Sequence, residues 1–495
     1  MKAPNVFLLL LITVFSIFQS AQSQDESGFI SLDCGLIPIN TTYVERSTNI
    51  TYISDVSYID SGVARRINKT LFTQFQQQTW ELRSFPEGQR NCYNFNLTKN
   101  SKYLIRGTFL YGNYDDLNQL PSFDLYIGAT KWTSVSIQRV ASASIHEIIH
   151  VLTQDRLQVC LVKTGETTPF ISSLELRPLN NNSYVTQSGS LMLVSRVYFP
   201  PTDPTPSFIR YDKDIHDRMW APYSDDKTMS LSTNLPVDTN NLYNVPQLAM
   251  KTVLIPINAS QTLNLGWTLN DISAQSHIYM HFAEIQNFQA NEIREFDITY
   301  NGGLRWFSFF RPEKLSLTTI FNPRAVSSSN GKFNFSFAMT GNSTLPPLIN
   351  ALEIYKVLDF LQLETDQNEV SAMMNIKNTY GLSRKISWQG DVCAPLFYRW
   401  EGLNCSYPDS DPPFVISLNL TASELTGTIT PEIFKLTKLR ELDLSKNDLS
   451  GEIPAFFADM KLLTFINLSG NPKLNRTVPG SLQQRIESKS LTLLL

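Results

Sequence analysis

This 495-residue sequence lacks a strong excess of either charge, and 41 Lys and Arg stand against 45 Asp and Glu for a net charge of −4. With no basic run as well, nucleic acid and anionic lipid are poor partners. Past residue 23 no apolar stretch nears the roughly 20 residues that a membrane-crossing helix needs. Five cysteines are too few to scaffold so long a chain, so a hydrophobic core must hold it. A glycine-rich phosphate loop, a Gly-x-Ser-x-Gly elbow and a kinase catalytic-loop pattern are all missing, which removes the usual signatures of nucleotide and serine-hydrolase chemistry.

What is present begins with an address. Lys2, the apolar stretch Val6 to Phe18 and the small-x-small site Ala21-Gln22-Ser23 read as a signal peptide over residues 1–23, so the chain is expected to be secreted, with disulfides and glycosylation permitted. Twelve Asn-x-Ser/Thr sites then become meaningful: Asn40, Asn49, Asn68, Asn96, Asn181, Asn258, Asn334, Asn342, Asn404, Asn419, Asn467 and Asn475. Asn404 is the weakest, because Cys405 is its middle residue.

From residue 24 to about 360, segments of strand length rich in β-branched and aromatic residues alternate with Gly, Asn, Asp and Pro. The region reads as all-β and too long for one sandwich, so two tandem β-sandwich domains are expected at 24–184 and 208–360. An internal repeat supports the division. Phe109, Phe123, Asp124 and Trp132 recur as Phe282, Phe296, Asp297 and Trp306, and Leu174-Glu175-Leu176 recurs as Leu352-Glu353-Ile354. Prolines 200, 201, 204 and 206 predict an extended connector at 185–207.

After 360 the pattern changes. Asp366 and Glu369 form a capping-box pattern ahead of Val370, Met373, Met374 and Lys377, which predicts a helix. With Trp388, Cys393, Trp400 and Cys405 it makes a cap over 361–412, and Cys393–Cys405 is the expected disulfide. Leu420, Leu444 and Leu468 recur at a 24-residue interval, the mark of three leucine-rich repeats over 413–484, with a tail at 485–495. Asn447 is placed to bond the turn's backbone. The fold class is thus mostly β, ending in a short capped α/β solenoid. Of Cys34, Cys92 and Cys160 one must be left over.

His146-Glu147-Ile148-Ile149-His150 matches the zinc motif HExxH, which needs a helix to bring both imidazoles to one metal. The segment is dense in β-branched residues and runs almost directly into the strand-like Leu157–Leu161, and it has no convincing third ligand. A zinc metallohydrolase therefore remains only a competing reading. No metal, no cofactor and no catalysis are expected.

Phe29-Ile30-Ser31-Leu32-Asp33-Cys34-Gly35, Tyr103-Leu104-Ile105-Arg106, Leu157 to Val162, Asp217-Arg218 with Trp220, and Leu449-Ser450-Gly451-Glu452-Ile453-Pro454 together resemble the extracellular region of plant malectin-like leucine-rich repeat receptor kinases. The resemblance implies malectin-like β-domains outside the cell, at the plant apoplast, that bind a cell-wall glycan or a secreted peptide, with a membrane receptor kinase as partner or with the chain acting as a decoy. A truncated receptor without independent activity is the alternative, since no membrane helix or kinase follows. Gly390-Asp391-Val392-Cys393 departs from the family's Gly-Asp-Pro-Cys. For a sugar, stacking aromatics beside an amide or carboxylate single out Tyr111, Asn113, Tyr114 and Asp115, with Trp132 as an addition.

Overall fold

A computed structural model describes residues 28–37, 41–202, 206–385 and 387–495. The signal segment and the Asn40 site lie outside the described residues. In Ser122–Ile127 the side chains of Phe123, Leu125 and Ile127 are buried while Ser122 is exposed, because successive residues of a strand face opposite ways. Phe296, Ile298 and Tyr300 repeat this in the second lobe. Each lobe is a sandwich. One four-stranded sheet runs Arg90–Asn96, Arg156–Lys163, Ser122–Ile127, Thr130–Ser136, and its counterpart runs Leu263–Thr268, Lys332–Met339, Phe296–Tyr300, Leu304–Phe310. Both pack on a single twelve-stranded sheet that passes through the two lobes.

The join corrects the expected connector. Within 185–207 lies the nine-residue strand Ser190–Tyr198, whose Leu191, Val194 and Val197 favour the pleated conformation. On one side it pairs along its length with Ala351–Leu358 of the second lobe. On the other it meets Ala143–Val151 of the first lobe through two pairs alone, Ile148 with Met192 and Ile149 with Leu191. Pro200 and Pro201 follow this strand and end it.

Cys92 and Cys160 face each other in register on adjacent strands and are bonded, and Cys393 is bonded to Cys405. The leftover thiol is Cys34, buried. In the cap, Asp366 accepts from the Asn368 and Glu369 N–H groups at the start of helix Gln367–Thr379. Glu369 does not close the capping box. Its carboxylate takes the Val415 N–H of the first repeat at 2.5 Å, so the helix is tied to the solenoid. Trp388 and Trp400 stack at 4.7 Å in the same core, as large buried aromatics of a cap.

In the solenoid, Asn447 Oδ1 accepts from the Ser423 and Leu425 N–H groups while its Nδ2 donates to the carbonyls of Leu420, Leu444 and Ser445. The expected tail is instead the helix end of Gly480–Glu487 followed by strand Thr492–Leu494, which pairs in parallel with Phe465–Asn467 as a further rung. It escaped the repeat pattern because its register sets Leu493 beside Ile466, an offset of 493 − 466 = 27 residues in place of the 24-residue interval. No helix among the described residues is long and apolar enough to cross a membrane.

Candidate functional site

Past the Ile148–Met192 pair the two strands part. Ala143–Val151 stays with its neighbour Lys102–Leu110, while Ser190–Tyr198 stays with the second lobe, and its register shifts between Leu193 and Ser195. Ala221–Pro222 then pairs with Val197 and Tyr198 on the edge that the first lobe has vacated. The fork leaves a cleft of about 370 Å³ walled by Trp132, Ile145, Met192, Val194, Phe208 and Met219. Phe208 is 60% exposed, and Ile145 and Val194 also reach solvent.

Its floor is ionic. Glu147 Oε1 lies 2.6 Å from Arg106 Nε, and Glu147 Oε2 lies 2.7 Å from Arg196 Nη1. Arg196 Nε continues to Glu353 Oε2 of the second lobe at 2.8 Å. Behind them Arg106, Arg177 and Arg210 converge on Glu175 and Asp217, and Arg218 holds Asp214 at 2.9 Å. Burial alone would push the Glu147 carboxyl up, but the Arg196 and Arg106 charges overcome it and hold it below its ordinary value. Glu175 and Glu353, the repeated Leu-Glu-Leu/Ile positions, are anchors of this network in their respective lobes. Burial raises them, and neighbouring arginines and hydrogen bonds bring them well below the ordinary range. Trp220 and Tyr184 lie in the same layer, donating to Asp214 Oδ2 at 2.6 Å and Glu353 Oε1 at 2.7 Å.

This geometry overturns the zinc reading. His146, Glu147 and His150 sit on a strand, where residues four apart are roughly 13 Å from each other. His146 bonds Ser144 Oγ, and His150 bonds Ser190 Oγ at 2.7 Å and stacks on Phe360. Burial pushes both imidazoles down to about 4. Glu147 is occupied by two arginines. Among the described residues no His, Cys, Asp or Glu cluster could hold a metal ion.

The sugar-stacking loop is also placed differently from expectation. Tyr111 is fully buried, and its hydroxyl donates to Asp115 Oδ1 at 2.7 Å and Asn113 Oδ1 at 3.1 Å. Tyr114 packs on Phe170, with its hydroxyl 3.1 Å from Ser84 Oγ. Asn113 Oδ1 and Asp115 Oδ1 are thus spent on the loop's own shape, and a Cβ at Gly112 would strike Ile67. Trp132 is buried too, and it contributes to the cleft wall. Arg196, Val194 and Phe208 were not singled out from sequence. An arginine inside the apolar run Leu191–Tyr198 was the available signal, since such a charge is stable only with a buried partner.

A malectin-like domain model matches residues 32–357, and a leucine-rich repeat model matches 415–472. The chain belongs to the malectin-like domain family. This malectin-like chain is 68% identical to a probable LRR receptor-like serine/threonine-protein kinase of Arabidopsis thaliana over 100% of its own length and 56% of the relative's. It is 48% identical to the A. thaliana LRR receptor-like serine/threonine-protein kinase IOS1 over 89% of its own length and 48% of that relative's. It therefore spans about half the length of these relatives. Among solved structures the ANX2 ectodomain of A. thaliana superposes with a TM-score of 0.55 at 17% identity, covering 67% of this chain and 97% of that one. A structure of the plant peptide RALF23 in complex with FER and LLG2 gives 0.53 at 14% identity, covering 67% and 95%.

Proposed function

We propose that this malectin-like chain is an extracellular recognition module without catalysis, and that the forked cleft takes a secreted peptide. One observation carries the reading: two strands that separate beside an ion-pair floor leave apolar walls and backbone edges that Ala221–Pro222 covers only at Val197 and Tyr198, which suit an extended peptide with apolar side chains. A protein of similar fold occurs in a complex with a plant peptide, which supports the ligand class. The buried rings of Tyr111 and Trp132 give a sugar little face on which to stack, so a cell-wall glycan is the weaker class. The leucine-rich repeats act as a spacer or as a docking module for a receptor-kinase partner. They make little concave area, and Asn419, exposed on that face, is a glycosylation sequon.

The test is binding of the purified protein to a panel of secreted plant peptides and, in parallel, to a glycan array. Saturable binding of a peptide, weakened at least tenfold by Val194→Asp or Phe208→Ala, is the expected result. Binding of a saccharide alone, or peptide binding indifferent to both substitutions, would overturn the reading.

A further inference from the structure

Leu304–Phe310 forms one edge of the second lobe's four-stranded sheet, paired with Phe296–Tyr300 on one side and, among the described residues, with no strand on the other. Natural sheets blunt such an edge with charges, prolines or polar side chains, because its free N–H and C=O groups invite another strand. The equivalent edge of the first lobe, Thr130–Ser136, follows that rule by exposing Lys131, Ser134 and Ser136. The opposite edge of the same sheet also complies: in Leu263–Thr268 the leucines point inward, and Asn264, Gly266 and Thr268 face out. Leu304–Phe310 complies only in part: its register against Phe296–Tyr300 is interrupted twice and Arg305 is exposed, yet large apolar side chains also stand in solvent. Leu304 is 66% exposed, Phe309 63% and Phe307 45%.

Phe309 adds a second observation. Its φ of +53° lies in the left-handed region, which is costly for a bulky aromatic, yet the ring gains no burial from it. Asp297, the repeat partner of Asp124, accepts the Phe309 N–H at 2.8 Å and holds this conformation. No Asn-x-Ser/Thr site falls between Asn258 and Asn334, so no N-linked sugar can be attached to the strand itself.

We infer that this edge is a docking site for an extended segment of another polypeptide, which adds as a fifth strand with apolar residues alternating and a carboxylate facing Arg305. The free backbone row fixes the occupant's conformation, since only a strand satisfies it. Charge fixes its chemistry. The run Leu304 to Arg311 holds two arginines and no acid. Arg311 is already paired with Glu295 at 2.7 Å, whereas Arg305 is exposed and forms no ion pair among the described residues. A second copy of this chain would bring another Arg305 and no acid to the joint, which disfavours self-pairing.

The probe is a phage-displayed library of linear seven-residue peptides, panned on the purified protein. The expected outcome is enrichment of sequences that alternate apolar residues and include Asp or Glu. Their synthetic forms should bind at least tenfold more weakly to Phe307→Ser and to Arg305→Glu, and should slow amide hydrogen exchange over residues 304–310. Both substituted side chains are exposed or half-exposed, so unchanged thermal unfolding serves as the folding control. N-methylation of alternate peptide amides should abolish binding on one register and spare it on the other. No enrichment overturns the inference, as does binding indifferent to both substitutions. Two further results overturn it by naming another occupant: a wild-type dimer in sedimentation that Phe307→Ser dissolves, or co-sedimentation with phosphatidylcholine vesicles that Phe307→Ser abolishes.

Discussion

Arg196 Nη1 and Glu147 Oε2 meet at 2.7 Å across the fork, and because Arg196 also holds Glu353, one guanidinium ties the first lobe to the second. Removing one partner of such a buried pair leaves an uncompensated charge. Glu147→Gln removes one carboxylate from the network while Arg106 keeps Glu175 and Asp217 and Arg196 keeps Glu353, and it should cost roughly 3 kcal/mol in urea unfolding. The double variant Glu147→Gln with Arg196→Met should recover part of that loss, and strict additivity of the two single effects would count against the coupling.

Glu364 is pushed up to about 7 by burial and by Asp391, against the pull of Arg156 and Arg90. A carboxyl raised in the folded state gives stability that is full below its unfolded value, near 4.3, and lost as pH rises through about 7. His146, His150 and His216, pushed down to about 4 by burial, act in the opposite sense up to their unfolded value near 6.5. The difference between wild type and Glu364→Gln isolates the carboxyl. The variant's advantage should grow by about 1 kcal/mol or more between pH 5 and 7.5 in urea midpoints.

The two disulfides close loops of different length, with sequence separations of 68 for Cys92–Cys160 and 12 for Cys393–Cys405. On the chain-entropy model the longer loop stabilises by about 1.5 kcal/mol more. Paired Cys→Ser variants compared by calorimetry should show the larger loss for Cys92 and Cys160. Hydrogen exchange in the Cys393 and Cys405 variant should rise mainly in the cap and first repeat.

Asn447→Ala leaves the Ser423 and Leu425 N–H groups buried without their acceptor. A loss of about 2–4 kcal/mol is expected, at roughly 1–3 kcal/mol for each unsatisfied group with partial relaxation. Loss of protection at 418–450 should accompany it, with the two sandwich lobes unaffected.

Local pattern made much of the fold legible. Alternation in Ser122–Ile127 and Phe296–Tyr300, the 24-residue leucine interval and the Asp366 cap each depend on neighbours within a few residues or on a fixed period, so they can be read along the chain. The glutamates of the repeated Leu-Glu-Leu/Ile element were legible as architecture for the same reason. The candidate site was largely hidden. Trp132 was visible only as an aromatic, and Arg196, Val194 and Phe208 acquire meaning only once the strands that carry them are paired.

The alternation that makes strands such as Ser122–Ile127, the repeats and the helix of the cap were determined by the sequence itself, because hydrophobic period and turn chemistry are local properties. Tertiary structure decided that Ser190–Tyr198 pairs with strands from both lobes, that Tyr111 turns inward, that Cys92 meets Cys160, and that His146 and His150 lie far apart on a strand. Those outcomes rest on contacts between residues tens to hundreds of positions apart, and on burial, which is a property of what packs around a side chain.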